Sequence, residues 1–435
     1  MNFLYKKPHG QFALLVKNNF LKTQISNLRV CFSILKFYST SQKSKINFDF
    51  SKILVLNKIT RYEFEKKRHA KLTEDELKTK LEKRGSNYDR LIEHHNNHYR
   101  SLERILNAFK ERGIETRVTQ RNNYSYADIN WANCIFSAGG DGTFLMASAK
   151  IKSNEKPVIG VNTDVTSSEG HLLLPKEQSV NFSNTLDKLL NGNFNWLSRA
   201  RIRIYLEGQS IENQPIELHD QVLNNLEHRY IEHIEENRQI KLNKTQRNAN
   251  SPVERFRIPT LALNEVFIGE SLSARVSYYL MSIDDGPFFR QKSSGIIICT
   301  GTGSTSWCYN INKMSVQSMK RIINLVKANV DNGNNRIPEN DDKFVQYITN
   351  QFNDSIVFEP DQFRMAYTIR DPIINRVFTN ETNRGFAKKL VVQSRCFDAC
   401  LVIDGGQSYQ FNDGSKAIME ILPEDALKTV IIHKN

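Results

Sequence analysis

The chain has 435 residues, of which 39% are apolar, 10% aromatic and 25% charged, with 20 Gly and 11 Pro. That is the length of two or three domains and the composition of a globular protein, which excludes a disulfide-stapled scaffold, a collagen-like repeat and a low-complexity polymer. Its aliphatic runs fall far short of the roughly 18 to 20 residues that cross a bilayer, and the net charge of +13 is concentrated at one end rather than spread as a nucleic-acid footprint.

Residues 1–48 hold eight Lys or Arg and no acid, the first carboxylate being Asp49. A basic, acid-free segment rich in Ser and Asn, without a continuous apolar stretch, reads as a mitochondrial transit peptide rather than a secretory signal. The six cysteines, Cys31, Cys134, Cys299, Cys308, Cys396 and Cys400, are scattered without a C-x-x-C pair. That spacing implies a reducing compartment and no zinc site.

In chain order, Ile53 to Leu56 reads as a buried strand. Thr73-Glu-Asp-Glu76 has the form of a capping box, and with Gly85 as a stop it predicts a helix of about ten residues. Leu91, Tyr99, Leu102, Leu106 and Phe109 recur at helical spacing over 88–112 and end at Gly113. Strands follow at 115–119, 134–136 and 158–161, with a helix at 144–150 between the last two. This alternation predicts a parallel α/β sheet over 50–190. Beyond Asn195 the pattern changes. Residues 200–206 alternate strictly, 356–358 and 390–392 more loosely, which predicts a second, β-rich region. Polar insertions at 207–256 and 311–353 read as surface excursions.

The densest chemical signal is Ser137-Ala-Gly-Gly-Asp-Gly-Thr-Phe-Leu145, placed after a buried strand and opening a helix. Glycines admit close backbone approach, and a helix N-terminus offers N–H groups and a positive dipole end to phosphate. Neither the dinucleotide fingerprint nor the Walker loop is present. A carboxylate set among phosphate-binding amides, Asp141, suits proton abstraction from an attacking hydroxyl.

Gly139-Gly-Asp-Gly-Thr143 resembles the signature shared by NAD kinases, phosphofructokinases, diacylglycerol kinases and sphingosine kinases. Leu263-Asn-Glu-Val266 and Thr300-Gly-Thr-Gly-Ser-Thr-Ser-Trp307 resemble NAD kinases in particular. Gly160-Val-Asn-Thr-Asp164 with Ser168-Glu-Gly-His-Leu172 resembles their mitochondrial branch. The resemblance covers about 50–430 and implies the NAD kinase/diacylglycerol kinase-like fold: an α/β N-terminal domain with a parallel sheet plus a C-terminal β-rich, sandwich-like domain. It divides the chain into 1–48 as transit peptide, 50–192 as donor-nucleotide domain, 193–410 as NAD-binding domain and 411–435 as a C-terminal segment packing back on the core.

The activity implied is transfer of a phosphoryl group from ATP, with Mg²⁺ carried in by the nucleotide, to the 2′-hydroxyl of the adenosine ribose of NAD. Asp141 would be the base. Gly139, Gly140, Gly142 and Thr143 would hold donor phosphates, and Asn264, Glu265, Lys292, Ser304, Thr305, Ser306 and Trp307 would hold NAD. The family's usual Pro, Ala and Tyr in the second loop are replaced by Gly301, Ser306 and Trp307, and Ser294 stands where many members carry an acid. A homodimer is expected, with no metal cage, membrane or nucleic-acid partner. A lipid kinase of the same superfamily and a non-catalytic dinucleotide sensor are the competing readings. His94, His95 and His98 read as a helix face, and Asp284-Asp-Gly286 and Asp404-Gly-Gly406 as turns.

Overall fold

The computed structural model describes residues 48–166, 170–208, 214–218, 254–272, 274–330, 342–376, 378 and 383–432. All of these belong to one compact unit, Phe48–Asn435. The transit-peptide segment, most of 207–256, the tract 331–341, and Ser168 and Glu169 lie outside the described residues.

Strands β1 (Lys52–Asn57), β2 (Glu115–Gln120), β3 (Cys134–Gly139) and β4 (Val158–Asn162) form an all-parallel sheet in the order β2-β1-β3-β4. Both β3 and β4 are buried at every position. Hence they read as unbroken apolar runs, as strands covered on both faces do. Helices α1 (Arg61–Arg68) and α2 (Glu74–Lys83) each open on a capping box, Thr60 with Glu63 and Thr73 with Glu76. Only the second is legible from sequence, because α1 buries Glu65 rather than an apolar stripe. Helix α3 (Tyr88–Glu111) buries His98, Leu102, Ile105 and Phe109, and ends before Gly113, whose φ of +66° needs glycine. After α4 (Tyr126–Trp131) comes α5 (Asp141–Ala149), which starts three residues before the predicted Phe144, so the glycine loop itself forms its first turn. Helices α6 (Lys176–Val180) and α7 (Phe182–Leu190) complete this half, and α7 packs Phe182 on Phe109 and Phe136.

The second half is antiparallel. Its strands are β5 (Phe194–Arg199), β6 (Ile202–Gly208), β7 (Ile216–Glu217), β8 (Glu254–Arg257), β9 (Glu265–Glu270), β10 (Ser277–Ile283), β11 (Phe289–Ser293) and β12 (Ile296–Cys299). They continue with β13 (Met365–Ile369), β14 (Arg384–Ala387), β15 (Lys389–Ser394), β16 (Ala399–Ile403), β17 (Gln407–Gln410), β18 (Lys416–Ile421) and β19 (Leu427–Ile432). One sheet runs β11-β10-β15-β18-β6-β8 and the other β14-β13-β12-β9-β16-β17-β7. Alternate residues of both, such as Ile204, Met281, Val392 and Met419 against Val266, Ile298, Tyr367 and Leu401, form one core. This is the period-2 pattern of a sandwich.

Two segments tie the halves together. β19 pairs antiparallel with β5 and packs on β4, with Leu427 buried in the α/β core. Leu263, just before β9, enters the same core beside Phe144 and Ala147 of α5. The predicted strand at 356–358 is absent. Those residues leave α10 (Asp342–Asp354) as irregular chain, because Phe358 packs against Ile297, Cys299 and Cys308 instead of joining a ladder. The insertion at 311–353 is helical on both sides of its undescribed tract: α8 (Trp307–Asn312) leads into it, and α9 (Val316–Val330) packs on α10. Both aspartate turns are present, with positive φ at Asp284 and Asp285 (47° and 59°) and at Asp404 and Gly405 (47° and 64°).

Candidate active site

The first glycine loop lies where β3 turns into α5. Gly139 is fixed by packing, since a Cβ there would lie 2.3 Å from Thr143 Oγ1 and 3.0 Å from the Lys58 Cβ. Gly142 is different. A Cβ there would meet nothing within 4 Å, so glycine at 142 keeps open the approach to the helix N-terminus. First-turn amides of a helix lack the usual intrahelical acceptor and serve an anion well; here Thr143 N is the exception, tied back to Gly140 O at 2.9 Å, so of the predicted phosphate-binding residues Gly140 and Gly142 are the ones with amides to offer.

Asp141 is the first residue of α5 and is partly exposed. Its two oxygens accept from the amides of Leu172 (3.0 Å) and His171 (3.2 Å). This fixes the carboxylate and leaves each oxygen a second lone pair. The clamp is supplied by the Gly-His-Leu end of the motif at 168–172, where Gly170 has φ +69°.

The second loop follows β12. Gly301 and Gly303 are both set by backbone crowding, because a Cβ would lie 2.1 Å from Glu359 O and 2.1 Å from Asn264 O respectively. The family's proline has a Cβ, so Gly301 is the residue this packing requires. Thr300 N donates to Asn264 O at 3.0 Å, locking the loop onto the Asn264–Glu265 segment.

That segment is in turn held by Asp404. Its carboxylate accepts from the amides of Leu263 (2.9 Å), Asn264 (2.8 Å) and Glu265 (3.0 Å). Burial pushes Asp404 up to about 6, opposed by these three amides and by Arg201. Asn264 Oδ1 and Glu265 Oε2 are buried and lack any hydrogen-bond partner. Burial, then the charges of Asp404 and Cys308, push Glu265 up to about 8. Buried polar atoms are normally satisfied, so two adjacent orphans beside the second loop make this a candidate place for a ligand's hydrogen bonds.

The remaining predicted residues divide. Ser304 is fully buried; its hydroxyl donates to Gly301 O (2.7 Å) and accepts from Phe358 N (3.2 Å), so it braces the loop from within. Thr305 and Ser306 lie at the loop surface, and Trp307 is 39% exposed with its ring against Phe267. The structure does not bring Lys292 to the others. It sits on β11, paired across from Tyr278, before the opposite end of β12 from the loop.

Sequence reasoning missed three features here. The helix face carrying the histidines is half-buried and its rings are engaged: His98 is buried between Asn57 Oδ1 (2.6 Å) and Thr163 Oγ1 (2.8 Å), and burial, then Lys58, push it down to about 4. Held neutral, one of its ring nitrogens donates and the other accepts. His94 Nδ1 lies 2.8 Å from Asp164 Oδ2, and His95 Nδ1 2.9 Å from Thr60 Oγ1. Lys58 follows β1 beside Gly139, and burial lowers its pKa against the charges of Asp164 and Glu63. Arg199, at the end of β5, lies between the two loops, donating to Thr302 Oγ1 at 3.3 Å and facing the charge of Asp141. An Arg at the end of a strand carries no sequence signal for this position.

No family model matches the chain. Among curated proteins it is 44% identical over 386 residues to "NAD kinase 2, mitochondrial" of Rattus norvegicus, covering 88% of each chain. It is 43% identical over 386 residues to the Homo sapiens protein of the same name, covering 88% of this chain and 85% of that one. A solved yeast NADH kinase complexed with NADH aligns over 89% of this chain and 85% of its own, at TM-score 0.47 and 12% identity.

Proposed function

The chain belongs to the NAD kinase family, and from that premise we propose that it transfers the γ-phosphoryl group of ATP to the 2′-hydroxyl of the adenosine ribose of NAD, giving NADP and ADP. In this reading Asp141 takes the hydroxyl proton as the ribose oxygen bonds to phosphorus and the bond from phosphorus to the β–γ bridging oxygen breaks. The amides of Gly140 and Gly142 at the head of α5 receive donor phosphate, with Gly139 holding the turn and the Thr143 amide bonded back to Gly140 O at 2.9 Å. Magnesium arrives with the triphosphate; among the described residues no group of three or more His, Cys, Asp or Glu side chains is arranged to hold a metal.

The observation that carries the acceptor half is the pair of buried, unpartnered atoms Asn264 Oδ1 and Glu265 Oε2. A ribose diol offers two hydroxyls to such a pair. With its pKa near 8, Glu265 is largely protonated at neutral pH and both donates and accepts. The half-exposed Trp307 ring offers a face to a base. A lipid acceptor would leave these polar atoms unmet, which disfavours the lipid-kinase reading.

The protein is mitochondrial, the compartment its relatives are named for, and we propose the matrix and a homodimer as the finer statement. The test is NADP formation by protein beginning at Lys45, supplied with MgATP and NAD. A folded protein that binds NAD and yields no NADP with any phosphoryl donor would leave the dinucleotide-sensor reading in its place.

A further inference from the structure

Three arginines two residues apart, Arg199, Arg201 and Arg203, stand where β5 gives way to β6. A guanidinium withdrawn from water is costly unless its N–H groups and its charge are matched. Arg203 is matched by a carboxylate, reaching the two oxygens of Asp425 at 2.6 and 2.8 Å. Arg201 is matched by carbonyls at two of its three nitrogens, donating to Asp425 O at 2.6 Å and Ile151 O at 2.7 Å while Nη2 lacks a partner, and it faces the charges of Asp425 and Asp404. Arg199 has neither kind of partner. Its hydrogen bond goes to the neutral hydroxyl of Thr302, its Nε is buried and unpartnered, and no carboxylate of the described residues lies within ion-pair distance. Burial pulls its pKa down to about 10, with the more distant Asp141 as the opposing charge.

The place of this unmatched cation matters. Arg199 ends β5, Thr302 belongs to the second glycine loop, and Asp141 heads α5 in the first. The guanidinium therefore stands between the proposed base and the loop locked to Asn264. An arginine fork suits phosphate oxygens in two-point contact, and a preorganised cation acts most strongly where charge spreads over a transferring phosphoryl group.

We infer that Arg199 is a phosphate-binding residue of the active site, its unfilled N–H groups taking an oxygen of the phosphoryl group in transit between donor and ribose. This rests on the NAD kinase reading for the identity of that group. The site's demand for a phosphate oxyanion does not depend on it.

The test uses the full chain as wild type, Arg199→Met and Arg199→Lys. Steady-state kinetics with MgATP and NAD are measured beside the thermal stabilisation given by inorganic tripolyphosphate. Arg199→Met is expected to lower kcat about 10²- to 10³-fold, as loss of a charge-stabilising donor does, and to remove at least half of the tripolyphosphate stabilisation. Arg199→Lys is expected to keep most of that stabilisation and to lose at least tenfold in kcat, because one point charge replaces a fork. A folded Arg199→Met with kcat within threefold of wild type and undiminished stabilisation overturns the assignment. Should Arg199→Met not fold, Arg199→Lys decides, with wild-type kcat overturning the assignment. Should wild type form no NADP at all, the kinase reading fails, and loss of tripolyphosphate stabilisation on substitution still decides the anion site.

Discussion

Glu265 and Asp404 are joined through two hydrogen bonds, one of them from Asp404 N to Glu265 O at 3.0 Å, and opposed through their charges. The Glu265 amide donates to Asp404 Oδ1 at 3.0 Å, while the Asp404 charge helps burial raise the Glu265 carboxyl to about 8. Asp404 thus shapes the segment that presents Asn264 and Glu265 through its bonds to their amides. Replacing it by Asn puts an amide N–H₂ against one of the backbone N–H groups that the two carboxylate oxygens accept from, and removes one of the two charges, Asp425 and Asp404, that face Arg201. Asp404→Asn is expected to cost ~3 kcal/mol of stability, as breaking a buried charged network does, and to raise the KM for NAD more than that for ATP. Urea denaturation and two-substrate kinetics check both.

The same burial predicts how stability follows pH. Glu265 has a folded pKa near 8 against an ordinary 4.5, so between these values the folded state binds the extra proton and stability falls as pH rises. His98 runs the other way. With a folded pKa near 4 against 6.5, the unfolded state binds the extra proton in that window, and stability falls as pH drops. The two oppose each other from about 4.5 to 6.5, and above that the Glu265 slope acts without His98. Glu265→Gln is expected to flatten the decline from about pH 6.5 to 8 and to expose a fall on acidification from 6.5 to 4.5, whereas His98→Asn is expected to let stability keep rising as pH drops through that same window, measured as urea midpoints across pH.

Two glycines separate packing from ligand approach. Gly303→Ala drives a Cβ to 2.1 Å from Asn264 O and is expected to cost about 2 kcal/mol or more, as overpacking does. Gly142→Ala meets nothing within 4 Å and leaves folding within about 0.5 kcal/mol of wild type. It is nonetheless expected to raise the KM for ATP at least tenfold, because the methyl group occupies the donor's approach to α5. Equal behaviour of the two variants in thermal melts and kinetics would refute this distinction.

Much of the fold was legible from sequence because its signals are local. The capping box at Thr73, the heptad-like face of α3 and the apolar runs of β3 and β4 each lie within one element. The predicted strand at 356–358 failed because three apolar residues do not distinguish a ladder from a packed loop, and Phe358 had a cluster to join. In the site, the glycine loops carried their own signature. Arg199, Asp404 and His98 did not, since their roles depend on partners 103, 139 to 141, and 41 and 65 residues away. Lys292 shows the converse: a cation close in sequence to a loop that the strand order carries to its far end.

The central claim is that Asp141, clamped by the amides of His171 and Leu172, takes the proton of the attacking ribose hydroxyl. The most direct measurement is NADP formation by Asp141→Asn beside wild type at saturating MgATP and NAD. Asn keeps the size of the side chain and removes its basicity. Wild type is expected to form NADP, and Asp141→Asn to show a fall in kcat of about 10³-fold, within the range contributed by a positioned general base, with NAD affinity within about threefold of wild type. A variant that turns over within tenfold of wild type would contradict Asp141 as the base.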